Sequence, residues 1–175
     1  MTQVETETGP VVSNREFTLY GSMVAILVVL DVITKYIVER SLTLYHPVPV
    51  LGDFFRLTYI YNRGAAFGLS LGEYSRHFFL VLTVIALVVL FLWFRSTLAS
   101  DRLRLFAIAS VTGGAIGNLI DRVRHEHGVV DFLDFGLGNL RWPVFNVADI
   151  AVTVGALLLA VSLWKEEAEA GRAPE

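Results

Sequence analysis

The sequence predicts an all-α membrane protein, with four transmembrane helices and, on one side of the membrane, a small surface β-sheet and a loop. Three observations point there. Of 175 residues, 54% are hydrophobic and only 18% charged, a balance that suits a lipid environment better than water. Four apolar stretches approach the roughly 20 residues that a helix needs to cross about 30 Å of hydrocarbon. The remaining polar residues gather in two longer intervening segments. No low-complexity linker or internal repeat divides the chain, so one domain is expected.

The first span is Phe17 to Val38. An acidic tail precedes it (Glu5, Glu7, Glu16) and no small-x-small cleavage site follows, so it is expected to be a retained helix rather than a signal peptide. The next segment, Glu39 to His77, contains Phe55-Arg56-Leu57-Thr58-Tyr59-Ile60-Tyr61. Its β-branched and aromatic residues with partial alternation predict a strand, and Asn62-Arg63-Gly64 a turn, hence a small sheet on the membrane surface. Phe78 to Phe94 is the cleanest span, 17 residues without a charge. Leu103 to Ile120 is the third, and its Gly113, Gly114 and Gly117 allow close approach of another helix. Asp121 to Phe145 forms the second large loop and Val147 to Trp164 the fourth span. The ends, 1–16 and 165–175, carry no motif and are expected to be flexible tails.

Four spans place both termini on one side. Lys and Arg divide almost evenly between the faces, so charge does not decide the orientation, although the basic turn with Arg102 and Arg104 favours termini inside. A net charge of −3 without any Lys/Arg run argues against a nucleic-acid partner. With no cysteine there is no disulfide, thiolate nucleophile or Cys-based metal site.

Ionisable residues in or beside spans need a reason, because a charge at mid-bilayer costs about 2.5–3.5 kcal/mol on insertion scales. Asp31 and Lys35, four apart, either neutralise one another on one helix face or help line a polar cavity. Asn118, Asp121 and Arg122 end the third span, and an amide as deep as Asn118 requires partners. Asp131 follows Val129-Val130 in the returning loop. Asp149 opens the fourth span, where it also suits the helix dipole. Asp134 is the rival of Asp131, and the glycines after it, Gly136 and Gly138, suggest a carboxylate on a loop surface. Two carboxylates close together in a desolvated site share a proton and can activate water against a peptide carbonyl. His125-Glu126-His127 lacks metal-site spacing, and neither Ser70 nor Ser110 comes with a partnering base, so no metal, cofactor or serine mechanism is expected. A proton-coupled carrier using Asp31, Lys35 and Asp149 is the competing class, and a non-catalytic scaffold a third.

These residues fall into motifs: Asp31-Val32-Ile33-Thr34-Lys35, Asn62-Arg63-Gly64-Ala65-Ala66-Phe67, Gly113 to Arg122, Val130-Asp131-Phe132 and Phe145-Asn146-Val147-Ala148-Asp149. In that order, from Phe17 to Trp164, the chain resembles the lipoprotein signal peptidase family, the type II signal peptidases. The resemblance implies an aspartic endopeptidase of the bacterial inner membrane, with cytoplasmic termini and its site toward the periplasm, and a monomer is the expected state. It implies cleavage of diacylglyceryl-modified prolipoproteins before the lipidated cysteine. It further implies Asp131 and Asp149 as the catalytic dyad, with Asp31, Lys35, Asn62, Gly114, Asn118, Asp121, Arg122 and Asn146 shaping or lining the substrate site. The loops at 39–77 and 121–145 would be periplasmic, the surface sheet a cradle, and the loop before Asp131 mobile.

Overall fold

The computed structural model describes residues 12–64 and 74–171. Its elements are α1 (Asn14–Ser41), β1 (Pro47–Leu51), β2 (Phe55–Asn62), α2 (Ser75–Ser96), α3 (Arg102–Arg124), β3 (Val129–Leu137), β4 (Leu140–Arg141) and α4 (Val147–Ala170). All four helices are long and apolar enough to cross a membrane. The Ala65-Ala66-Phe67 part of the second motif, Ser70 and the outermost tails lie outside the described residues.

Side-chain contacts give the direction of each helix. Tyr20, early in α1, donates to Thr112 of α3, while Lys35, late in α1, reaches Asn118. These two helices therefore run parallel. Arg76 at the start of α2 donates to the Arg122 carbonyl at the end of α3. Likewise Arg104 at the start of α3 pairs with Glu166 near the end of α4, so α2 and α4 both run opposite to α3. The bundle thus has a terminal end, with the start of α1 and the end of α4, and a sheet end.

Helix α3 is central and contacts α1, α2 and α4. Its small residues make this possible. A Cβ on Gly113 would meet Leu27 of α1, one on Gly114 the Ala148 carbonyl and Val152 of α4, and one on Gly117 the Asp31 carboxylate. In lipid there is no hydrophobic drive between helices, so close backbone approach and polar contacts hold the bundle. Outward faces are correspondingly apolar, with Ile26, Ile33 and Ile37 of α1 and Val81, Ile85 and Leu92 of α2 about half exposed or more.

The helices overrun the apolar spans. Ser13 caps α1 in a capping box with Glu16, and α4 continues to Ala170, so parts of both expected tails are helical.

A four-stranded antiparallel sheet of order β1-β2-β3-β4 sits at the other end. The strand expected in the first loop is β2. The second loop differs from expectation: Val129–Leu137 is a strand that pairs along β2, with Ile60 opposite Asp131 and Arg56 opposite Asp134. Asp134 is likewise not a loop-surface carboxylate. It is 2% exposed and is satisfied by its cross-strand neighbour Arg56 (3.0 Å), by Arg141 of β4 (2.6 Å) and by the Thr58 hydroxyl (2.6 Å). Val38 of α1 packs with Tyr59, Val130 and Phe132 to seat the sheet on the bundle.

Candidate active site

Asp131 sits on the central strand β3 and is 1% exposed. The Asn62 side-chain amide at the end of β2 donates to its Oδ2 at 2.9 Å, and that of Asn146 to its Oδ1 at 2.6 Å. Asn146 is also the N-cap of α4. Its Oδ1 accepts from the Asp149 N–H (2.9 Å), and the Asp149 carboxylate accepts from the Asn146 N–H (3.2 Å), a reciprocal capping box. One asparagine therefore starts the helix that carries one aspartate and fixes the carboxylate of the other.

The second support is Asn118 of α3, whose Nδ2 donates to Asp149 Oδ1 at 2.8 Å. Its Oδ1 accepts from Lys35 (3.0 Å) and from Asn146 (3.1 Å). An ammonium has only protons to offer, so the amide orientation is dictated by Lys35.

Lys35, 2% exposed within the bundle, spends its three donors on Asn118, Asp31 (2.7 Å) and Asp121 (2.9 Å). Each carboxylate then holds a backbone N–H on a different element. Asp121 accepts from Val130 at 3.1 Å and Asp31 from Ala148 at 2.9 Å. Val130 immediately precedes Asp131 and Ala148 immediately precedes Asp149. A single buried ammonium thus anchors both aspartates through the residue before each.

A cavity of about 1000 Å³ opens above them, with Asn62, Asn118, Arg122, Asp131 and Asp149 in its wall. Arg122 donates to the carbonyls of Asn118 (3.2 Å) and Gly64 (3.3 Å). The rest of the wall is mostly apolar, from Leu44, Trp142, Val144, Phe145, Ile150 and Val154. Of the expected site residues, Asp31, Lys35, Gly114, Asp121 and Asn146 do not line this cavity. They lie buried behind it: Lys35 and Asn146 bond to residues of the wall, Asp31 and Asp121 hold the residues that precede Asp149 and Asp131, and Gly114 packs against Ala148 and Val152.

The structure adds lining residues that motif reading missed. Thr153 and Val154 stand one turn beyond Asp149 and Ile150, a placement helical periodicity could have shown. Tyr61 and His127 could not be found that way, because they arrive from separate segments. His125 pairs with Glu39 at 3.0 Å, and both His125 and His127 lie against the Tyr61 ring. Among the described residues, no group of three or more His, Cys, Asp or Glu is placed to hold a metal ion.

The Asp131 carboxyl is pushed up from 3.8 to about 7. Burial is the main cause and the nearby Asp149 charge the second, outweighing the amide donors Asn62 and Asn146. The reverse holds for Asp134. Burial alone would raise it, but the Thr58, Arg141 and Arg56 donors together bring it below the usual range. A carboxylate held ionised by two guanidiniums is a structural anchor, whereas one near neutrality can exchange protons.

A family model described as signal peptidase (SPase) II matches residues 23–165. The lipoprotein signal peptidase of Geobacter metallireducens is 40% identical over 152 residues, 86% of this chain and 93% of that protein. That of Desulforapulum autotrophicum is 47% identical over 137 residues, 76% of this chain and 83% of that protein. Among solved structures, a bacterial membrane enzyme determined by the in meso method at 2.3 Å superposes with a TM-score of 0.80. It is 30% identical, and the match covers 90% of this chain and 94% of that one.

Proposed function

This chain belongs to the signal peptidase II family, and from that premise we propose that it is a membrane aspartic endopeptidase whose Asp131 and Asp149 cleave diacylglyceryl-modified prolipoproteins immediately before the lipidated cysteine. Removal of signal peptides from prolipoproteins is what family membership supports. The observation that carries the finer reading is Asn146, which binds the carboxylate of Asp131 while capping the helix of Asp149 at the wall of one cavity.

In this mechanism the pair shares one proton, and Asp131 is the member that holds it around neutrality. Asp149 sits at the positive end of the α4 dipole and accepts from Asn118. Asp149 takes a proton from a water placed between the two carboxyls as the water oxygen attacks the scissile carbonyl carbon. Asp131 donates its proton to the carbonyl oxygen, giving a neutral tetrahedral diol. Collapse returns that proton to Asp131 as the C–N bond breaks, and the proton on Asp149 passes to the leaving amine. No covalent intermediate forms.

Substrate acyl chains remain in lipid, so the bilayer contributes orientation and local concentration more than extra burial. The protein acts as a monomer in the bacterial inner membrane, with termini cytoplasmic and the sheet end periplasmic. Asn62, Asn118 and Arg122 contact the peptide from the cavity wall, while Asp31, Lys35, Gly114, Asp121 and Asn146 position the dyad.

Cleavage of a lipid-modified prolipoprotein by detergent-purified protein tests this reading. Wild type is expected to cut before the lipidated cysteine. Folded Asp131→Asn and Asp149→Asn variants are expected to lose at least about 10²–10⁴-fold, the usual scale of acid–base catalysis. Robust cleavage by either variant overturns the dyad, and an inactive, folded wild type overturns the activity.

A further inference from the structure

A second cavity, of about 320 Å³, lies at the terminal end between the first halves of α1 and α3. Because these helices run parallel, their residues descend into it side by side. Helix α1 supplies Arg15, Leu19 and Met23, four apart, and α3 supplies Arg102, Phe106 and Ala109. From Arg15 to Met23 the wall falls by about 12 Å at 1.5 Å per residue. The cleft therefore has a cationic mouth and an apolar depth.

The mouth keeps a net positive charge, because Arg15 and Arg102 share the cavity wall with one carboxylate, Glu16. Among the described residues, neither the Arg15 nor the Arg102 guanidinium has an ion pair or hydrogen bond, and both are exposed. Of the two carboxylates nearby, Glu16 offsets one of the two arginine charges, while Asp101 is engaged by a third arginine. Glu16 accepts from the Ser13 N–H and hydroxyl, and Asp101 pairs with Arg104 at 3.1 Å. A partner that complements this site carries net negative charge at the membrane surface and an apolar chain below it.

We propose that this cleft binds one anionic phospholipid of the leaflet at the terminal end, its phosphate between Arg15 and Arg102 and an acyl chain beside Leu19, Met23 and Phe106. A basic pocket between membrane helices at the headgroup level is suited to such a lipid. A zwitterionic lipid brings an ammonium to the same arginines and is disfavoured. The site is remote from the dyad, and the inference does not depend on the proposed reaction.

Native mass spectrometry of the full chain in neutral detergent tests it, using dioleoyl phosphatidylglycerol, dioleoyl phosphatidylcholine and water-soluble glycerophosphoglycerol as separate probes. The expected result is a bound phosphatidylglycerol with on the order of tenfold preference over phosphatidylcholine. That preference should disappear in an Arg15→Ala/Arg102→Ala variant with unchanged thermal unfolding. Equal retention of the two lipids by wild type overturns the proposal, as does a preference that survives the double variant. Binding of glycerophosphoglycerol as tight as that of the whole lipid also overturns it, since the site would then recognise a phosphate without using its apolar depth.

Discussion

Asn146 donates its side-chain amide to Asp131 at 2.6 Å while its own carbonyl oxygen caps the helix of Asp149 at 2.9 Å. The two roles use opposite ends of one amide, so they can be separated by substitution. Asn146→Ser keeps a capping oxygen but has no group to reach Asp131, whereas Asn146→Ala loses both. Thermal stability should fall in both variants, since both lose the buried bonds to Asp131, Asn118 and Val130, with the alanine variant about 1 kcal/mol less stable than the serine variant for want of a cap. Peptide cleavage should fall by at least about tenfold in both, the loss of a charge-assisted hydrogen bond being about 1.5–3 kcal/mol. Full activity in Asn146→Ser would show that the bond to Asp131 has no part in catalysis.

The pH dependence follows from the raised Asp131 carboxyl. If the protonated form polarises the substrate carbonyl, kcat/KM declines as pH rises through about 7. The Asn62 bond holds that value down, so Asn62→Ala should move the alkaline limb to higher pH as well as lowering the rate. A limb that stays in place in Asn62→Ala, or moves down, would contradict the assignment.

Stability carries the same titration with a definite sign. In the folded protein Asp131 ionises near 7, and in an unfolded chain near 3.8, so between these values the unfolded state loses its proton first. Folding is then disfavoured progressively from pH about 4 to about 7 and levels off above. Asp131→Asn lacks this titration. Unfolding temperatures of wild type minus variant should therefore drop across that window and stay flat beyond it.

Lys35 joins α1 to α3 and steadies both aspartates, and its removal leaves Asp31 and Asp121 buried without their cation. Lys35→Met should cost about 3–5 kcal/mol, the usual penalty for breaking a buried pair from one side. Adding Asp31→Asn and Asp121→Asn should recover part of that loss in detergent unfolding. A triple variant no more stable than Lys35→Met would mean that the penalty is not one of unpaired charge.

Asp134 separates architecture from chemistry. Asp134→Asn weakens its bonds to Arg56 and Arg141 and should cost about 1–3 kcal/mol of sheet stability. Cleavage at a temperature where the variant is folded should remain within a few-fold of wild type, because the residue is absent from the cavity wall. A loss comparable with that of Asp131→Asn would place Asp134 in the reaction instead.

Much of this molecule is legible in its sequence. Four spans follow from apolar length alone, since no other continuous structure can satisfy its backbone in hydrocarbon. Ordered motifs pick out Asp131, Asp149 and the polar residues near them, because ionisable groups at a membrane face are costly enough to be conspicuous. Local patterning also finds β2, but not β3: Val129-Val130-Asp131-Phe132 is apolar but for Asp131 and shows no alternation, as befits a strand buried along most of its length.

Only the tertiary structure decides how these residues divide their work. Asp134 reads as a surface carboxylate until Arg56 and Arg141 arrive across the sheet from 78 and 7 residues away. Lys35 reads as the partner of Asp31 alone, because an i,i+4 relation is local. Its bonds to Asn118 and Asp121 exist only once the glycines of α3 let α1 come close. Composition and local periodicity act through neighbours along the chain, so they determine spans, caps and candidate charges. Which charge is anchored, which is raised toward neutrality and which faces the cavity depends on burial and on partners brought together by packing.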